Sequence, residues 1–140
     1  MVYVFMLNNI NYFLFIVSEK NWEIIKSNNI IGTDNKKTYK QILTNDKILV
    51  YINRISEIKA LYNVLGKYED HEQLFVDRNY PYRFEISEIE FFDEKIDFKE
   101  LVPKLKFIKN KEKWYTHIGG SKGATQISLR DYTTLIKALV

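Results

Sequence analysis

The sequence predicts an α+β fold. Short segments rich in aromatic and β-branched residues alternate with short amphipathic ones. Two of the strand segments lie close enough in sequence to pair as a hairpin. Hydrophobic residues make up 46% of the 140 positions, enough for a packed core. A chain of this length suits one compact domain, and no repeat, heptad or low-complexity linker divides it.

The start, MVYVFMLNNINYFLFIV, is apolar. No lysine or arginine precedes it, Asn8, Asn9 and Asn11 interrupt it, and no small-residue cleavage site follows. It is too short and too broken to span a bilayer. Residues 1–11 read as an N-terminal extension or an extra strand ahead of a domain over 12–140. A soluble, cytoplasmic protein with no membrane partner is expected.

Tyr12 to Val17 is aromatic and β-branched and reads as a buried strand. Glu19 to Ser27 reads as a helix with Trp22, Ile25 and Lys26 on one face, capped by Ser18 or Asn21. Asn28 and Asn29 suit its end, because Asn tolerates the left-handed conformation. Ile30 to Gly32 is extended, with Gly32 allowing close backbone approach. Thr38 to Leu43 reads as a short helix, Thr44 to Asp46 as a turn, and Lys47 to Ile52 and Ile58 to Gly66 as an antiparallel pair. Glu69 to Glu72 opens a polar loop. Tyr82 to Ile86 alternates with period two and continues to Phe91. Asp97 and Glu100 form a capping box before a helix that Pro103 limits. Gly119 to Gly123 is a turn and Thr125 to Ile127 a strand. Ser128 caps a final helix with Asp131 at N3 and an apolar stripe of Leu129, Tyr132, Leu135, Ile136 and Leu139.

The absence of cysteine excludes disulfides, thiol catalysis and thiolate-bound zinc. Only His71 and His117 are present, so no paired-histidine zinc motif exists. Gly119 to Gly123 lacks the spacing of a phosphate loop, and no nucleophile elbow occurs. Neither catalysis, a cofactor nor a metal is expected. The net charge of +3 is unevenly spread. Residues 101–140 hold eight Lys/Arg against Glu112 and Asp131, whereas acidic residues outnumber basic ones in the first hundred. Such asymmetry fits an anionic partner, unless folding interleaves the segments. Within "LKFIKNKEKWY", Phe107, Trp114 and Tyr115 sit among Lys106, Lys109, Lys111 and Lys113. Single-stranded nucleic acid is held by stacking on aromatics and by basic groups along its backbone. The same pattern also fits a solvated lysine-rich turn over a packed core.

Four stretches in this order carry a resemblance: "FLFIVSEKNWEI" (13–24), "NNIIGT" with "NDKILVYI" (28–33, 45–52), "YPYRFEI" (80–86) and "LKFIKNKEKWYTHIGG…ISLRDYTTLI" (105–136). From about residue 12 to the C-terminus the chain resembles the EVE domain of the PUA-like superfamily, which is related to YTH domains that read a methylated adenine in RNA. The resemblance implies a PUA-like mixed β pseudo-barrel with short flanking helices. It also implies a non-enzymatic module that recognises a modified or flipped base in DNA or RNA through a pocket with a lysine-rich rim. On this resemblance Ser18, Trp22, Ile31, Gly32, Thr33, Phe107, Trp114 and Tyr115 would form the pocket. Lys106, Lys109, Lys111 and Lys113 would line one basic edge, and Lys36 and Lys37 a second. Many members of the family carry a tryptophan before that glycine, where this chain has Ile31. Either another ring such as Tyr115 supplies the flat wall, or the ligand is not a flat base. Two alternatives stay open: a module for a free nucleobase-like small molecule, and a protein-interaction domain with a vestigial pocket. Trp22 also suits a core-facing helix position, Ser18 a helix cap, and Trp114 a packing residue under a loop.

Overall fold

A computed structural model describes residues 9–93, 95–118 and 123–140. The expected features over residues 1–8 and 119–122 lie outside that range. Among the described residues six strands form one sheet, in the spatial order β2-β5-β4-β3-β1-β6. They are β1 (Tyr12–Val17), β2 (Ile30–Thr33), β3 (Lys47–Ile52), β4 (Glu57–Glu69), β5 (Tyr82–Phe91) and β6 (Ala124–Ile127). The helices are α1 (Glu19–Asn28), α2 (Lys36–Gln41), α3 (Phe98–Leu101) and α4 (Leu129–Leu139). Short 3₁₀ turns cover Val102–Lys104 and Trp114–His117.

β1 pairs parallel with β3 and antiparallel with β6; the remaining pairs are antiparallel. Register irregularities at Val50/Tyr51, Leu61/Tyr62 and Val64/Gly66 add twist and curl the sheet into a mixed pseudo-barrel. The central strands are buried on both faces, which explains why β3 reads as an unbroken apolar run. Its alternate residues divide between two cores. Ile48, Val50 and Ile52 join Phe13, Phe15, Ile25 and Ile31 on one face, whereas Leu49 and Tyr51 join Leu14, Phe98, Leu105 and Leu135 on the other.

Several boundaries differ from the sequence reading, most by one residue, and two elements differ by more: α2, which is Lys36–Gln41 rather than Thr38–Leu43, and β4. α2 starts two residues earlier, because Asn35 accepts hydrogen bonds from the N–H groups of Lys37 and Thr38 and so caps the helix. β4 runs on to Glu69, because its last residues pair with the start of β5. The remaining caps fall where the sequence places them, on Ser18, Asp97 and Ser128. The helix before Pro103 ends at Leu101, and the proline continues as a 3₁₀ turn.

Candidate functional site

The C-terminal end of β1 and the edge strand β2 meet beside α1. The Ser18 hydroxyl, at the end of β1, accepts the Asn21 N–H at 3.2 Å. One turn into α1, Asn21 is 5% exposed, and its amide reaches across the gap to the loop between β4 and β5. Its Oδ1 accepts the Val76 N–H at 3.1 Å, and its Nδ2 donates to Asp77 Oδ1 at 2.8 Å. The second carboxylate oxygen of Asp77 accepts the Tyr80 hydroxyl at 3.0 Å.

Arg83 of β5 fastens this loop from below. It is 2% exposed. Its guanidinium donates to the carbonyls of Tyr80 (3.1 Å) and Glu72 and to Asn79 Oδ1 (3.3 Å), pairs with Asp70 at 3.5 Å, and lies over the Phe75 ring. Arg83 stands opposite Gly32 in the ladder. At Gly32 a Cβ would sit 2.8 Å from Tyr80 Cβ, 2.9 Å from the Phe75 ring and 3.0 Å from the Tyr80 carbonyl oxygen. Glycine is therefore required for the loop to close on β2.

The result is a cavity of about 240 Å³, room for on the order of eight waters at about 30 Å³ each. That suits a single small ring system, being below the range of about 300–1,000 Å³ usual for drug-sized ligands. Phe15, Ile25, Ile31 and Phe75 give it an apolar lining. Ser18, Thr33, Asn53, Asp77 and Tyr80 supply polar groups, and an Asp34–Arg78 ion pair of 3.1 Å stands at its edge. The Phe75 and Tyr80 rings meet edge to face, 5.4 Å between centroids.

Burial opposes the charge on Asp77, but the donors of Asn21 and Tyr80 and the local backbone N–H groups outweigh it together and hold the carboxyl below its ordinary value. Burial, followed by the bond to Asp77 and its negative charge, pushes the Tyr80 phenol up to about 12. At neutral pH the pair is a carboxylate accepting from a phenol. Asn21 engages one of its oxygens and Tyr80 the other.

The sequence-expected residues divide. Ser18, Ile31, Gly32 and Thr33 come together on the cavity. Trp22, Phe107, Trp114 and Tyr115 do not line it. Trp22 faces Tyr62 and Phe91 edge-on under Lys26, because its helical position turns it onto the core of one sheet face. Phe107 packs against the core of the opposite face. Trp114 and Tyr115 border a separate shallow depression with Tyr51, Ser56, Lys99 and Ile118.

The expected lysines stand apart from the cavity as well. Lys36 and Lys37 are exposed in the first turn of α2, two and three residues past Asp34. Lys106, Lys109 and Lys113 are exposed on the segment before the second 3₁₀ turn. Lys111 folds back to donate to the carbonyls of Val102 (3.2 Å) and Leu105. The cations bordering the cavity and the depression beside it are instead Arg78, Lys20 and Arg54.

The sequence predicts no part in the site for Asn21, Asn53, Phe75, Asp77, Tyr80 or Arg83; Asn21 reads only as a possible cap, and Tyr80 and Arg83 only as part of the 80–86 stretch. The β4–β5 loop that carries Phe75, Asp77 and Tyr80 reads as polar, and the one signal within it is the apolar run Leu74-Phe75-Val76 shortly before Tyr80. Among the described residues no cluster of three His, Cys, Asp or Glu is placed to hold a metal, and no helix is long and apolar enough to cross a membrane. His71 pairs with Glu69 at 2.7 Å and His117 Nε2 accepts the Asn110 N–H at 3.2 Å, both outside the cavity lining.

A family model for the EVE domain matches residues 11–138. The chain is 31% identical over 146 residues to the UPF0310 protein PH1033 of Pyrococcus horikoshii, covering 92% of this chain and 99% of that one. Among solved structures it is similar to a hypothetical protein from Leishmania major, with a TM-score of 0.67, 15% identity and coverage of 94% and 95%. It is also similar to the YTH domain of the Zygosaccharomyces rouxii MRB1 protein in complex with N6-methyladenosine RNA. There the TM-score is 0.62 at 16% identity, over 94% of this chain and 88% of that one.

Proposed function

The chain belongs to the EVE domain family, and on that premise we propose that it is a non-enzymatic nucleic-acid-binding module. It takes one flipped base, carrying a modification, from DNA or RNA into the cavity between β1, β2 and the β4–β5 loop. The observation that carries this reading is the partly open cavity beside Gly32, with an apolar floor and a polar wall, two rings from one loop and one carboxylate held ionised beside them.

Removing a base from its stack costs a few kcal/mol. Aromatic and apolar contacts offset that cost, and Phe75 and Tyr80 supply the ring surface that Ile31 lacks. Asp77 accepts only, so it favours a base edge that presents N–H groups. A methyl group fitting the apolar floor adds about 1–3 kcal/mol of preference, roughly 10- to 200-fold. The fold shared with a YTH domain that was solved in complex with N6-methyladenosine RNA supports a nucleic-acid partner. Arg78, Lys20 and Arg54 are the nearest phosphate partners, with Lys36 and Lys37 beyond them and the lysines of 106–113 farther along the surface. A free nucleobase-like ligand is the second reading, favoured by the ion pair that engages Arg78 with Asp34 at the rim.

Amide NMR titration with methylated and unmethylated nucleoside monophosphates tests the site. Shifts should concentrate on residues 15–18, 31–34 and 75–80. Asp77→Asn should weaken binding about 10-fold or more, since hydrogen bonds to charged groups contribute about 1.5–3 kcal/mol. Shifts confined to residues outside these segments would overturn the assignment.

A further inference from the structure

We propose that Trp114 and Tyr115 form a second base-stacking subsite for single-stranded nucleic acid, joined to the cavity by the β3–β4 loop with Arg54 as the phosphate contact between them. This rests on the base-reading function but assigns residues and a step that the cavity does not use.

Continuity of surface comes first. Asn53 borders the cavity, the shallow depression beside it, and the depression that holds Trp114 and Tyr115; Arg54 borders the latter two. The three hollows thus form one path that crosses the loop at Asn53 and Arg54. Charges of both signs line it: Lys20 with Glu19 and Asp77 next to the cavity, Arg54 at the crossing, and Lys99 with Asp97 beside the aromatic pair, so that Arg54 is the cation central to the path. Five lysines between 104 and 113 precede the pair in sequence.

The loop is also held rigidly at both ends. Its Asn53 N–H donates to the Val17 carbonyl at 2.8 Å, at the cavity end of β1. On the other side Ser56 donates its hydroxyl to Asp97 at 3.0 Å, and its carbonyl accepts the Phe98 N–H at 2.7 Å. Arg54, between the anchors, has φ +72°, and Ser56 itself has φ +62°. The left-handed conformation costs a side-chain-bearing residue about 1–2 kcal/mol. A strained residue held by its surroundings at the junction of surface hollows suits a binding role.

The platform has the right chemistry. Tyr115 is 56% exposed and meets Trp114 edge to face at 6.2 Å. Trp114 in turn rests on buried Phe98 at 5.8 Å. One ring is therefore open to a base, and the ring behind it is fixed to the core. A strand with one base in the cavity would pass its phosphate over Arg54 and lay a neighbouring base on Tyr115. Stacking accepts any base, so this subsite adds affinity without reading sequence.

The test compares two probes on one protein, N6-methyladenosine monophosphate and a short labelled single strand containing that base, alongside the unmodified strand. Tyr115→Ala should weaken strand binding about 5- to 150-fold while leaving mononucleotide affinity unchanged. Arg54→Gly, which keeps the backbone conformation, should lower the slope of log affinity against log salt by about 0.7. In a Trp22→Phe background Trp114 is the remaining tryptophan, and the strand, but not the mononucleotide, should quench it. A second subsite is overturned if Tyr115→Ala leaves strand binding intact, if it weakens both probes equally, or if no strand binds. If the strand shows these effects but modified and unmodified bases bind alike, the platform stands and the modified-base reading fails instead.

Discussion

One added methyl group measures how tightly the cavity is closed. A Cβ at position 32 would meet the Tyr80 backbone as well as two side chains, and backbone does not yield cheaply. Gly32→Ala should lower unfolding stability by about 1–3 kcal/mol, measured by chemical denaturation, and should abolish ligand-induced shifts at Phe75. Asp77 supplies a pH test with a definite sign. Its folded pKa lies below the ordinary 3.8, so its contribution is present above the ordinary value and is lost as pH falls through the folded one. Asp77→Asn should flatten that part of the acid limb in a stability-versus-pH series. Ser18 was legible as a cap from sequence spacing alone, because capping is local. Asp77 was not, because its meaning comes from Asn21, 56 residues away.

Among the elements, the loops carry most of the polar groups that line the cavity. The β4–β5 loop is irregular, yet Arg83, Asn21 and Gly32 fix it at separate points. Its polar composition hides this, since a buried arginine that satisfies carbonyls looks identical in sequence to a solvated one. The segment from Leu105 to Trp114 is positioned by Asp131 of α4. That carboxylate is 1% exposed and accepts the N–H groups of Lys106 (2.8 Å) and Phe107 (2.9 Å). Asp131 reads from the sequence only as part of a capping box with Ser128, and the Ser128 cap is present at 3.1 Å. The longer reach is invisible without the fold. Asp131→Ala leaves two backbone donors without their acceptor, at about 1–3 kcal/mol each. Hydrogen exchange at residues 106 and 107 should accelerate strongly, whereas exchange at Phe75 should not.

At the scale of the molecule, the alternation of apolar residues on the strands fixes the two cores, and this period-two pattern is what made the α+β class readable. The parallel pairing of β1 with β3, which brings the end of β1 beside β2 and α1, has no local signature. The uneven charge is real in sequence, but in the fold none of the lysines of 106–113 lines the cavity or the depression beside Trp114 and Tyr115. A strand that spans both hollows would pass Arg54 between them. Binding should therefore be salt-sensitive for strands and nearly salt-insensitive for an uncharged modified nucleoside, which brings no phosphate.

The most direct test of the central claim is fluorescence anisotropy at physiological salt. Short labelled DNA and RNA strands would each be compared with the same strand carrying a single methylated or hydroxymethylated base. Base reading through the cavity requires tighter binding to one modified strand by about 10- to 200-fold, with the preference lost in Asp77→Asn. Equal affinity for every modified and unmodified strand would contradict it.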